Sequence, residues 1–308
     1  MHEIKKNLLK SFNLVKINSN EIKRGDIFIA LKGKKTHGNQ YILEAIKKGA
    51  KYIVTDKKPE EKNLDKNIIV VKDILKFLLN IAKHKRDLYN GKVIGITGSA
   101  GKTSVKENLK FLLSVHYKVS ASIKSYNNFL GVIISLLNLD INSDFAIFEM
   151  GTSNFSEIKK LTQIIMPSQV IITNIFPTHL EKLISTRNIA IEKSDIFNLD
   201  YNPNVELAIL SNNNIDEEFI INKAKKNNNF KIITFGNNKN SDLKIKKIIN
   251  VKKLYFKIFL QYRNEITELV VNKNQAQKLS NILICFIFFI FNKINLDIFI
   301  SSVKDLPL

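Results

Sequence analysis

Residues 92–104 read KVIGITGSAGKTS: an apolar stretch, a glycine-rich turn, and a Lys-Thr-Ser that opens the helical pattern VKENLKFLLS. The apolar stretch is rich in β-branched residues and predicts a strand. The chain holds only eleven glycines, yet four of them, Gly91, Gly95, Gly98 and Gly101, fall within residues 91–101. Glycine kept where it is otherwise scarce marks a backbone that turns sharply or approaches a ligand closely. Strand, tight turn and helix in this order present the first N–H groups of the helix to an anion. The spacing departs from G-x-x-x-x-G-K-T, since Ile96 stands five residues before Gly101, and is better written T-G-x-x-G-K-T. Gly98, Ser99, Ala100, Gly101, Lys102, Thr103 and Ser104 are the candidate phosphate-binding residues. Lys102 would reach the terminal phosphates and the Thr103 hydroxyl would hold Mg²⁺.

Downstream, strand and helix patterns alternate. DFAIFEM (144–150) precedes SEIKKLTQII, SQVIITN (168–174) precedes a helix near 186–198, and VELAILS (205–211) precedes DEEFIINKAKK. Such alternation predicts an α/β fold with a parallel sheet covered by helices on both faces. Residues 231–272 give four short strands, KIITF, DLKIKKIINV, KLYFKIFL and ITELVV, with no helix between them, and predict an antiparallel extension. An apolar helix over 276–291 follows. Upstream, DIFIAL, KYIVTD and NIIVVKD read as strands around the helix QYILEAIKKGA, and residues 73–91 read as a helix leading into the next domain. The expectation is a small amino-terminal α/β domain over 1–88 and a phosphate-loop domain over 89–308, with a mostly parallel sheet and an antiparallel extension.

Ligands of open α/β sheets bind outside the carboxyl ends of the strands. Glu149, ending DFAIFE, should therefore share an edge with the phosphate loop, where its carboxylate suits Mg²⁺. Asn174, ending SQVIITN, and His179 in the following loop fall on the same edge by the same argument. Lys193, in IAIEKSDIF, cannot be told from a surface lysine by pattern alone.

Composition narrows the class. With 44% hydrophobic residues in 308, the chain can bury a core. The single cysteine, Cys285, excludes a disulfide framework and a cysteine-based zinc site. The first residues lack the apolar core of a signal peptide, and the longest apolar run, Ile282–Phe291, is far short of the ~20 residues that span a bilayer. A cytoplasmic protein without membrane insertion is expected. The net charge of +20 invites a nucleic-acid reading, but only four of the 48 basic residues are arginine and the lysines run through the whole chain. That pattern fits compositional drift and no specific nucleic-acid partner.

TGSAGKTSVKENLKFLLS, SYNNFLGV, FEMGTSNFSEIKKLTQIIMPSQVIITNI, THLEKL and IAIEKSDIF stand in the order and spacing of the Mur ligases, ATP-dependent amide ligases of peptidoglycan synthesis that this chain resembles. The resemblance runs through 92–200 and extends upstream over RGDIFIALKGKKTHGNQYILEAIKKGAKYIVTD (24–56). It implies that Gly98 to Ser104 bind ATP phosphates, with Asn174 near the nucleotide, and that Thr103 and Glu149 bind Mg²⁺, with His179 by a second metal. It further implies a catalytic set of Lys102, His179 and Lys193, the last matching a lysine that several members carbamylate. Asn127 and Asn128 match a loop lining the substrate cleft. UDP-MurNAc-peptide and D-Ala-D-Ala are the implied substrates, joined through an acyl phosphate.

Departures accompany the matches. Asn18-Ser19-Asn20 stands where the family has Ser-Arg, and of the Gly-x-His-x-x-x-Asn segment only Asn281 is kept in Gln275–Asn281. The family continues beyond the position of Leu308 through a Gly-Arg hinge into a carboxy-terminal domain, so this chain is expected to supply the first two domains of three. Two readings stay open: a ligase acting with a separately encoded carboxy-terminal domain, or a nucleotide-binding remnant that does not complete ligation.

Overall fold

Near-continuous apolar runs such as IFIA and YIVT suit parallel strands buried on both faces, and the amino-terminal residues build such a sheet. The computed structural model describes residues 2–10, 14–33, 36–59, 67–226, 229–252 and 254–307. Strands β1 (Val15–Lys16), β2 (Ile27–Ala30), β3 (Tyr52–Thr55) and β4 (Ile68–Val70) lie side by side in chain order, all parallel. Helices α1 (His2–Lys10), α2 (Ile42–Lys47) and α3 (Ile74–Asp87) belong with them. The Asp73 carboxylate starts α3 by accepting the Lys76 N–H at 2.9 Å. This first compact unit comprises Met1–Asn90 and a later excursion, Leu130–Asn142. Asn138 holds the excursion like an extra strand partner, accepting the Val15 N–H at 2.8 Å and donating to the Val15 carbonyl at 2.9 Å. Lys85, fully buried, donates to the Leu137 carbonyl at 2.7 Å, and burial lowers its pKa to about 8.

The second unit, Gly91–Phe129 with Ser143–Leu308, holds the phosphate loop. Its chain order is β5 (Lys92–Thr97), α4 (Lys102–Leu113), β6 (Val119–Ala121), α5 (Phe129–Leu137, mostly in the excursion), β7 (Phe145–Glu149) and α6 (Glu157–Ile165). There follow β8 (Gln169–Ile172), α7 (Leu180–Leu183), α8 (Thr186–Ser194), β9 (Leu207–Ser211), α9 (Ile215–Lys225) and β10 (Lys231–Phe235). The chain continues through β11 (Leu243–Lys252), β12 (Tyr255–Tyr262), β13 (Glu265–Asn272), α10 (Lys273–Ala276), α11 (Leu279–Phe291) and α12 (Leu296–Ser302). The nine strands are ordered β13-β12-β11-β10-β9-β8-β5-β7-β6. Strand β5 thus lies between β7 and β8, where the winding of the chain reverses. Such a switch point opens a crevice at the strand's carboxyl end, and residues 98–101 occupy it.

The α/β class, the parallel sheet and the antiparallel extension are all present, with one strand reassigned. KIITF, expected in the extension, is β10 and pairs parallel with β9 from Lys231↔Leu207 to Phe235↔Ser211. The intervening helix α9 returns the chain to the starting edge of the sheet, which forces a parallel strand. The antiparallel ladders begin at β11, which touches β10 through Phe235↔Leu243 and then pairs with β12. Helix α11 lies in the core: every residue from Ile282 to Phe289 is at most 3% exposed, Cys285 included. No helix among the described residues is long and apolar enough to cross a membrane.

Candidate active site

The loop after β5 keeps its shape through two left-handed glycines and one asparagine. Gly98 has φ +144° and Gly101 has φ +82°. From the end of β8, the Asn174 side chain accepts the Ala100 N–H at 2.9 Å and donates to the Ala100 carbonyl at 3.1 Å, while its backbone carbonyl accepts the Ser99 N–H at 3.1 Å. The Thr173 hydroxyl also donates to the Ala100 carbonyl, at 2.6 Å. With Ser99 and Ala100 N–H engaged by Asn174, the anion-facing donors are those of Lys102, Thr103 and Ser104, which begin α4 and have no intrahelical acceptor. Lys102 arches back over the loop and its ammonium donates to the Gly98 carbonyl at 2.8 Å. Burial holds the Lys102 pKa below the usual lysine range, and the Glu149 charge opposes that shift.

Glu149 is the hub. It is 1% exposed; Oε2 accepts the Thr103 hydroxyl at 2.7 Å and Oε1 accepts the Asn127 amide at 2.8 Å. Its own N–H donates to the Ser122 hydroxyl at 2.9 Å. Asn127 is held in turn by Gly151, whose N–H donates to the Asn127 carbonyl at 2.8 Å; a Cβ on Gly151 would come within 2.7 Å of the Asn127 amide carbon. The loop carrying Asn127 is tied to α4 by Lys106, fully buried, which donates to the carbonyls of Ser122 and Lys124 and pairs with Glu107 at 3.0 Å. Asn128 follows Asn127 in the same loop. With Phe129, Gly151, Glu157, Lys160 and Leu161 it lines a cavity of about 310 Å³.

Lys193 is 2% exposed, and its pKa falls to about 7. Burial is the larger cause; repulsion from the Lys102 ammonium adds to it, and Glu192 opposes both. His179 is not drawn in: exposed, at φ +55°, it caps the short turn α7 through its carbonyl and bonds to neither Thr103 nor Glu149. Asn281, kept from the altered segment before α11, does reach the loop, because a Cβ on Gly101 would come within 3.0 Å of its Oδ1.

Sequence reasoning missed Ser122, Lys106 and Glu192, all buried and all bonded to segments distant in the chain. Glu192 accepts the Thr152 hydroxyl and the N–H groups of Ser156 and Ile158. Among the described residues no cluster of three His, Cys, Asp or Glu could hold a metal by itself. A cation here would rest on the Thr103 and Glu149 oxygens together with the bound anion, an oxygen set suited to Mg²⁺.

A glycine loop, a helix N-terminus and a half-buried lysine at a switch point beside a carboxylate–threonine pair define a phosphate-loop α/β protein. Comparison with known proteins narrows the class. A Mur ligase middle-domain model matches residues 96–289, and a model of the Mur ligase family catalytic domain matches residues 11–86. The chain belongs to the Mur ligase family. UDP-N-acetylmuramoyl-tripeptide–D-alanyl-D-alanine ligase of Rickettsia prowazekii is 38% identical over 250 residues, covering 81% of this chain and 54% of that protein. The Bacillus subtilis enzyme of the same name is 30% identical over 184 residues, 60% of this chain and 40% of that protein. The chain thus spans about half the length of the curated relatives it matches. In fold it is similar to MurF from Acinetobacter baumannii, with a TM-score of 0.80 at 20% identity over 99% of this chain and 68% of that one. MurF of Thermotoga maritima, solved in complex with ADP, gives 0.78 at 24% identity over 98% and 67%.

Proposed function

We propose that this chain is the nucleotide- and UDP-substrate-binding part of a cytoplasmic ligase that joins D-Ala-D-Ala to UDP-MurNAc-tripeptide at the expense of ATP. The observation that carries the reading is the Lys102–Thr103–Glu149–Asn127 constellation at the switch point of a Mur ligase fold. The first N–H groups of α4 and the Lys102 ammonium suit the ATP phosphates. Thr103 and Glu149 would hold Mg²⁺, which when bound neutralises charge on those phosphates. The terminal carboxylate of the peptide attacks the γ-phosphorus as ADP leaves. The amine of D-Ala-D-Ala then attacks the acyl phosphate, expelling inorganic phosphate as the new amide forms.

In this reading Lys102 stabilises the phosphoryl group in transit. Asn127 orients Glu149, and Asn128 faces the substrate side. Lys193 is the position the family resemblance assigns to carbamylation, and a pKa near 7 supplies the neutral amine which that modification requires. The resemblance alone assigns His179 to the metal side. A separately encoded carboxy-terminal domain is proposed as the partner that completes turnover.

Calorimetry with a non-hydrolysable ATP analogue and Mg²⁺ tests the nucleotide half. Lys102→Ala should weaken binding by about tenfold or more, the worth of one charge-assisted bond; equal affinity in both proteins would overturn the assignment. ADP release with UDP-MurNAc-tripeptide and D-Ala-D-Ala tests the ligase half. Turnover should rise when a carboxy-terminal Mur ligase domain is added in trans, and no ADP release under any combination would refute it.

A further inference from the structure

Thr152–Ile158 joins the end of β7 to α6 and borders the cavity lined by Asn128 and Lys160. Its turn is tied locally by the Thr152 hydroxyl, which donates to the Asn154 carbonyl at 2.8 Å, but that bond leaves the start of α6 uncapped. Ser156, immediately before α6, sits at φ +64° and its side chain makes no capping bond. The first N–H groups of a helix buried without acceptors are costly. Glu157 supplies part of the answer locally, accepting the N–H groups of Ser153 at 2.6 Å and Asn154 at 3.0 Å.

The rest comes from another helix. Glu192, on α8 and 2% exposed, accepts the Ser156 N–H at 2.7 Å on Oε2. Its Oε1 accepts the Ile158 N–H at 2.8 Å and the Thr152 hydroxyl at 3.3 Å. A carboxylate from α8 thus caps α6, where the helix dipole also favours an anion. The next residue of α8 is Lys193, itself 2% exposed. A single turn of α8 therefore carries both the anchor of the cavity wall and a buried lysine.

We infer that Glu192 is a positioning residue: it holds the 152–158 wall of the cavity in place and so governs how the cavity takes the muramoyl-peptide half of the substrate. Nucleotide binding, carried by the loop after β5 and the start of α4, does not depend on it. The inference rests on the ligase reading. An amide at 192 keeps one acceptor oxygen and turns an NH₂ toward a backbone N–H, so Glu192→Gln should be intermediate and Glu192→Ala more severe.

The experiment compares wild type, Glu192→Gln and Glu192→Ala by hydrogen–deuterium exchange and by calorimetry with UDP-MurNAc-tripeptide and, separately, a non-hydrolysable ATP analogue. Exchange at Ser156 and Ile158 should quicken by roughly tenfold or more, with the rest of the unit unchanged. Affinity for UDP-MurNAc-tripeptide should fall by about tenfold in Glu192→Gln and further in Glu192→Ala. Affinity for the ATP analogue should stay within about twofold. Unchanged exchange at 152–158 would overturn the inference. So would a joint loss of both affinities with faster exchange throughout the unit, the signature of a purely structural role. Wild type that binds no UDP-MurNAc-tripeptide, with the exchange change still confined to 152–158, would refute the ligase reading and leave the anchoring role of Glu192 supported.

Discussion

Replacing Gly98 by alanine separates backbone strain from collision at the loop that defines the site. At φ +144° an L-residue is strained, by about 1–3 kcal/mol. The added Cβ would also collide with the Thr173 hydroxyl and come within 3.1 Å of the Thr173 N and Cβ. Escape requires that hydroxyl to leave the Ala100 carbonyl, which it meets at 2.6 Å, at a further cost of ~0.5–1.5 kcal/mol. Gly98→Ala should thus destabilise the second unit by about 2–4 kcal/mol in urea unfolding. Thr173→Ala alone should cost ~1 kcal/mol, the lost hydrogen bond. In the double variant the colliding oxygen is gone and only the strain and the lost bond remain, so the two costs should fall short of additivity by about 1 kcal/mol. Gly98→Ala within about 0.5 kcal/mol of wild type, or strict additivity in the cycle, would refute the conformation given to the loop.

Lys193→Met tests the buried ammonium. Its folded pKa, about 7, lies below the ordinary lysine value, so between pH 7 and roughly 10 the unfolded chain binds the extra proton and stability rises with pH. The methionine variant should be more stable than wild type at pH 7, by a margin on the order of 3 kcal/mol that shrinks toward pH 10; urea midpoints across that range would read it, and a constant margin would count against the assignment. Lys106→Met should remove the bonds to the Ser122 and Lys124 carbonyls, the first of them buried, and cost about 1–3 kcal/mol by the same assay, whereas a neutral effect would mean that the 122–128 loop is held by something else. With lysines spread diffusely, any binding to duplex DNA should be weak and lost at moderate salt, and sub-micromolar, sequence-selective binding at physiological salt would contradict that.

What could be read from the sequence is what the backbone imposes locally. The loop 98–104 is contiguous, and its glycines answer to φ values that few other residues adopt, so the motif names itself. The strand–helix alternation follows from burial on one periodicity or the other; it passed over α1, β1, β6 and α5, and it misassigned 231–235, where the partner choice was set by a helix already passed. Glu149 and Asn174 were reachable because parallel strands deliver their carboxyl ends to one edge. Buried charges lie outside such reasoning. The donors to Glu192 stand 34 to 40 residues away, and the amide that fixes Glu149 stands 22 away. Nothing near IAIEKSDIF announces them. Lysine is the extreme case: of 44 in the chain, Lys85, Lys106 and Lys193 are buried among the described residues. Each faces a carbonyl or a second ammonium on a segment remote in sequence. A composition that spreads lysine everywhere hides the few whose desolvation the fold must compensate: Lys85 within the first unit, Lys106 tying α4 to the loop that carries Asn127, and Lys193 on α8.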